Sequence, residues 1–255
     1  MRVPPFACAG TTTAMTLRTV EGFDLASMGH NSKEMLHAYV SSARLAYADR
    51  FAYMADPDLH EVPWSGLVSD AYISRRRASI KDRGDRFDAG DPWAEEGRRP
   101  ARSLPASTPG WDYGTTHLCT VDGNGGAVSL TNMTPALVLN DDGVKLAVGA
   151  SRGRRITNCV TQLIIKPLDF GMGAQEAIDT PRVDCSMPAT YVDPRLDEAV
   201  RTQLENMGHR LQVVDDGGLE SGFPTFANPI AVLRDGAKGL RDGVDVFHSA
   251  YAGGL

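Results

Sequence analysis

The chain has no run of about 18 apolar residues, so no segment reads as a membrane-spanning helix. Positive charge is not in excess: 26 Lys and Arg stand against 32 Asp and Glu, and the net charge of −6 argues against a nucleic-acid footprint. Cysteine is scarce. The four residues Cys8, Cys119, Cys159 and Cys185 form no CxxC pair, and the six histidines show no His-x3-His spacing, so a structural zinc site is not expected. The opening MRVPPFACAGTTTAMTL carries one Arg and a broken apolar stretch, a poor match to a secretory signal, and a reduced, cytoplasmic setting is the expectation. What is present is ordinary for a globular protein: 255 residues, 42% hydrophobic and 23% charged, enough for one large domain or two small ones.

The first strong pattern starts near Asn31, with Glu34 three positions on in capping-box spacing. Met35, Leu36, Tyr39, Val40, Ala43, Ala46, Tyr47 and Met54 then recur at helical spacing, which predicts an amphipathic helix ended by Asp56-Pro57. A second helix is predicted over 69–80, capped by Ser69 or Asp70. From Lys81 to Gly114 the chain is rich in Gly, Pro and mixed charge without periodicity and reads as a long exposed connection. Short strands follow. TTHLCTVD and AVSLTNM flank Gly123-Asn124-Gly125-Gly126, and PALVLN and VKLAVGA flank Asp141-Asp142-Gly143, two hairpin signals. ITNCVTQLIIKPLDF, AQEAID and RLDEAVRTQLENMG read as helices, the first stopped by Gly171 and the last by Gly208, and RLQVVDD and PIAVLRD as strands. Hairpins mixed with packed helices predict an α+β layered fold.

Chemistry concentrates where the connection meets the first strand, at Tyr113-Gly114-Thr115-Thr116-His117. A threonine hydroxyl is a weak nucleophile and needs a base beside it. One solution is to make the threonine the first residue of a chain, so that its own α-amine, with a reference pKa of about 7.7–8.0, takes the proton. That requires a cut before Thr115. The alternative is that Thr115 and Thr116 are two β-branched residues opening an edge strand.

From about Gly22 onward the chain resembles the γ-glutamyltransferase (γ-glutamyltranspeptidase) family of N-terminal-nucleophile hydrolases. The stretches that carry the resemblance, in the family's order, are EGFDLASMGHNS, ARLAYADRFAYMADPD, VPWSGLVSDAY, TTHLCTVDGNGGAVSLT, GASRGRRITNCVTQLI and DFGMGAQEAIDTPRVD. The resemblance implies an αββα sandwich, incomplete here, and a precursor that cuts itself between Gly114 and Thr115. Residues 1–80 would then be the helical end of a large subunit, 81–114 the linker to the cut, and 115–255 the small subunit with the nucleophile. Thr115 is the implied nucleophile for both cleavage and turnover. The family's glycine-rich turn, whose backbone N–H groups form the oxyanion hole, matches Gly149 to Arg155, with Arg152 and Gly153 in place of two glycines. A positive φ is costly for an arginine.

Other positions depart further. Met133 replaces a threonine that helps orient the nucleophile, and Thr131 and Asn132 remain as supporting candidates. A block that grips the γ-glutamyl amino and carboxylate groups is missing between Asn132 and Met133, and so is the front of the large subunit with its carboxylate-binding arginine. Arg152, Arg154 or Arg155 can supply that charge. The resemblance thus implies a threonine amidohydrolase or acyltransferase that moves a γ-glutamyl or similar acyl group from a glutathione-like amide to water or an amine. It needs no cofactor, nucleic acid or membrane. The alternatives are an inactive truncated member, or one component of a hetero-oligomeric enzyme. Apolar surface left by the missing parts predicts association, with itself or with a partner.

Overall fold

The structure is a computed structural model that describes residues 9–54, 61–84, 87–99, 117–121, 127–131, 134–215, 226–236 and 239–245, with backbone alone for 117–121 and 127–131. The front of the chain is helical: α1 (Gly10–Val20), α2 (Leu25–Met28), α3 (Lys33–Tyr53), α4 (Trp64–Leu67), α5 (Asp70–Ala78) and α6 (Trp93–Glu96). Then come β1 (His117–Val121), β2 (Ala127–Thr131), β3 (Ala136–Asn140), β4 (Gly143–Ser151), α7 (Arg155–Asp169), α8 (Ala174–Asp179), β5 (Val183–Asp184), β6 (Thr190–Val192), α9 (Glu198–Asn206), β7 (Leu211–Val213), β8 (Asn228–Arg234) and β9 (Leu240–Val244).

The central sheet has the order β3-β4-β8-β9, all antiparallel. Leu146, Val148 and Ala150 of β4 pack with Ile156, Val160 and Leu163 of α7 and with Ala177 and Ile178 of α8. The alternate residues of β4, Ala147 and Gly149, point the other way and are buried as well. On that side lies the β1–β2 hairpin, stacked on β4 and β8. The layers therefore run helix, sheet, sheet. This is the α+β sandwich expected, and among the described residues its fourth layer, helices outside the hairpin, is not seen. A second sheet, β5-β6-β7, packs with α3 and α9 around Leu36, Tyr39, Val192 and Leu204. Between the two sheets α7 is buried nearly all round, and the buried Nζ of its Lys166 lies 3.1, 3.2 and 3.3 Å from the carbonyls of Ala177, Thr180 and Pro181, as a hydrogen-bond donor that closes the end of α8.

Several expectations need correction. Helix α3 is capped by Ser32, whose Oγ accepts from Met35 N at 3.1 Å, while Asn31 sits outside at φ 55°, so the box from Asn31 to Glu34 does not form. Ser69 does cap α5. The first part of the supposed exposed connection is docked. Trp93 is buried, Gly90 N donates to Asp49 Oδ1 at 2.8 Å, and Arg76 donates to Asp88 O at 2.8 Å. Asp49 of α3 is buried and pairs with Arg76 at 3.2 Å. Helix α1 and strands β5, β6 and β9 were not anticipated.

Candidate functional site

Strand β4 ends at Ser151 and α7 begins at Arg155. The two residues between them that turn the chain, Arg152 and Gly153, have φ of 101° and 61°. Two successive left-handed residues reverse a strand into a helix within one step, and glycine adopts that conformation without penalty. Arginine does not. The turn is thus the one required at a glycine pair, held although one glycine is absent. It sits at the N-terminus of α7, which has no acidic residue in its first turn and no side-chain cap. The positive end of that helix dipole therefore lies beside the turn amides.

What holds the turn is a buried polar network. Tyr47 Oη donates to Arg154 O at 2.8 Å, fixing the carbonyl just after Gly153. Asn158 Nδ2 donates to Tyr47 Oη at 3.2 Å and to Asp184 Oδ1 at 2.7 Å, and Tyr39 Oη donates to Asn158 O at 3.1 Å. Ser186 Oγ donates to Asp184 Oδ2 at 2.7 Å. Burial raises the Asp184 pKa, while the hydrogen bonds from Ser186 and Asn158 and the charge of Arg155 pull it back. Burial likewise lifts both tyrosines, so they remain donors.

Of the sequence-predicted residues, Arg152 and Gly153 form this turn, and Arg155 opens α7 and acts on Asp184. Thr131 ends β2 directly across from His117, the first residue of β1. Thr115 and Asn132 lie outside the described residues. Tyr39, Tyr47, Asn158, Asp184 and Ser186 were not anticipated as site residues. The one signal in the sequence was Asn158, a polar side chain within an apolar helix. Among the described residues no group of three His, Cys, Asp or Glu could hold a metal ion, and no helix is long and apolar enough to cross a membrane.

The gamma-glutamyltranspeptidase family profile matches residues 1–132 and 130–242. The chain belongs to the gamma-glutamyltranspeptidase family. Its relatives include the glutathione hydrolase proenzyme of Bacillus subtilis subsp. natto, 26% identical over 86% of this chain and 46% of that protein. The acylase ACY 1 proenzyme of Pseudomonas sp. (strain SE83) is also 26% identical, over 99% of this chain and 50% of that one. The chain thus spans about half the length of the curated relatives it matches. The crystal structure of cephalosporin acylase from Bacillus halodurans superposes with a TM-score of 0.79 at 20% identity, over 99% of this chain and 51% of that chain, a likeness of fold. The two segments of the gamma-glutamyltranspeptidase match meet at residues 130–132, beside the junction of Asn132 and Met133 where the sequence reading placed a missing block.

Proposed function

We propose that the chain is a γ-glutamyltransferase-like threonine amidohydrolase or acyltransferase that cuts itself before Thr115. The freed α-amine of Thr115 takes the proton of its own hydroxyl. The Oγ adds to the amide carbonyl, the leaving amine departs with a proton, and water or an acceptor amine then attacks the acyl ester and restores the hydroxyl. The amides of Arg152 and Gly153 stabilise the oxyanion, a role worth about 2.7–4 kcal/mol per donor in well-studied enzymes. Thr131 and Asn132 support the nucleophile, and Arg155 helps hold the site's charge. The acyl group is γ-glutamyl or a similar small acyl, carried on a glutathione-like amide.

The observation that carries this reading is the Arg152–Gly153 turn. Holding an arginine at φ 101° costs the backbone strain, and strain of that kind clusters at active sites. Intact-mass measurement on the purified chain tests it. Two pieces, the second starting at Thr115, are expected, and Thr115→Ala should abolish the cut. A single species of 27.4 kDa that persists on storage would refute self-processing, and a cut surviving in Thr115→Ala would point to an outside protease.

A further inference from the structure

A cleft of about 540 Å³ opens between α3, the residues Gly84 and Phe87, and the loops at Cys185–Pro188 and Gly208–Arg210. That volume lies within the range of roughly 300–1,000 Å³ typical of small-molecule sites. Its chemistry is one-sided. Arg44 and Arg210 bring guanidinium groups, Phe51, Phe87 and Met187 bring apolar surface, and among the described residues no carboxylate lines it. Asp184, next in the chain to the lining residue Cys185, keeps its two oxygens on Asn158 and Ser186.

The wall is also fixed in place. Lys81 O can only accept, so at 2.7 Å it receives the Nε2 proton of His37. With both rings neutral, His37 Nδ1 is then the acceptor, and His209 Nε2, 2.8 Å away, donates to it. Gly84 backs the His209 ring so closely that a Cβ would come within 2.6 Å of it. Arg44 is anchored on Pro188 O at 3.1 Å and Thr190 Oγ1 at 2.8 Å.

The cleft is joined to the turn through Arg154. The backbone of Arg154 is held by Tyr47, its guanidinium lies 5.8 Å from the Phe51 ring centroid, and its Nη2 reaches Met187 Sδ at 3.9 Å. Tyr47, Phe51 and Met187 all line the cleft, so Arg154, one residue beyond Gly153, touches three residues of its wall.

We propose that this cleft binds an organic anion with an apolar, ring-sized body, its carboxylate taken by Arg44 and Arg210 and its body held by Phe51, Phe87 and Met187. The ligand would be the carboxylate-bearing end of the amide substrate, and only that role rests on the threonine chemistry proposed above.

The test uses the full chain carrying Thr115→Ala, which separates binding from catalysis. Titration calorimetry compares 3-phenylpropionate with its neutral amide and with phenethylammonium. The acid should bind saturably, the amide about tenfold or more weakly, and the cation not at all. Arg210→Gln, at an exposed position, and Phe87→Ala should each weaken the acid several-fold. Acid and amide binding equally, affinity unchanged in both variants, or no binding up to the solubility of the acid would each overturn the proposal. Failure of self-cleavage in the unmodified chain would leave this result standing, because nothing in it requires turnover.

Discussion

Replacing Arg152 with glycine should stabilise the protein, and the effect can be separated from loss of the side chain. At φ 101° a residue with a Cβ is strained by roughly 1–3 kcal/mol. Glycine removes that strain but gives back about 0.5–1 kcal/mol through the greater freedom of the unfolded chain. The right comparison is Arg152→Gly against Arg152→Ala, since both discard the guanidinium and only alanine keeps the Cβ. The glycine variant should be the more stable by about 1 kcal/mol, or roughly 2–4 °C in Tm for a chain of this size. Thermal and urea unfolding followed by circular dichroism would measure it. Arg154 supplies the control: its φ of −61° is ordinary, so there alanine should be more stable than glycine. If alanine matched or exceeded glycine at position 152, the turn would not hold the conformation described, and the argument for a retained oxyanion turn would fail with it.

Removing the Tyr47 hydroxyl as Phe leaves Arg154 O and Asn158 each short of a partner. A loss of about 1–3 kcal/mol is expected in urea unfolding, together with slower self-cleavage. Gly243→Ala would place a Cβ within 2.7 Å of the Ala174 and Gln175 backbone at the start of α8, which cannot swing aside, so a loss of about 1–3 kcal/mol is expected. An unchanged midpoint would show that β9 does not press on α8. For pH, burial pushes His209 down to about 4, whereas the unfolded chain protonates near 6.5. The unfolded state then binds the extra proton, so stability present above about pH 6.5 falls as pH drops towards 4, by at most about 1.4 kcal/mol per pH unit for this site. His30, also lowered to about 4, acts in the same sense, while the raised Asp49 and Asp184 act in the opposite one. His209→Asn should flatten the slope between about pH 6.5 and 4.5, and an unaltered slope would count against a neutral buried His209.

Much of the layered architecture was legible because turn chemistry is local. Asp142-Gly143 marks the β3–β4 reversal, Gly171 the end of α7, and the mismatch of arginine with a glycine position at 152 could be stated before any coordinate was known. Helix α1 was hidden by its threonines. Thr12, Thr13, Thr16 and Thr19 are all buried; the hydroxyls of Thr16 and Thr19 donate to carbonyls four residues back and Thr12 Oγ1 accepts from Arg50, so a polar segment serves as core with only the Thr13 hydroxyl of the four left without a partner. Strand β9, LRDGV, is an edge strand whose first three residues are exposed, and it carries no hydrophobic alternation to read. The segment 87–99 looked like solvent-exposed linker because its docking uses backbone groups, Gly90 N and Asp88 O, which composition cannot reveal. The network behind the turn joins residues more than a hundred positions apart, Tyr47 to Asn158 and Arg154, and only the packing of α3 on α7 creates it.

Lys166 gives the molecule an internal clock. Its amine is shut inside a ring of carbonyls, where burial holds its pKa well below the usual lysine range, and once uncovered it reacts as an ordinary lysine. An acylating reagent meets Lys33, whose side chain is 42% exposed, at once, and meets Lys166 only when α7 and α8 part. The ratio of the two labelling rates therefore reports how often the centre of the sandwich opens, with no probe added to the chain.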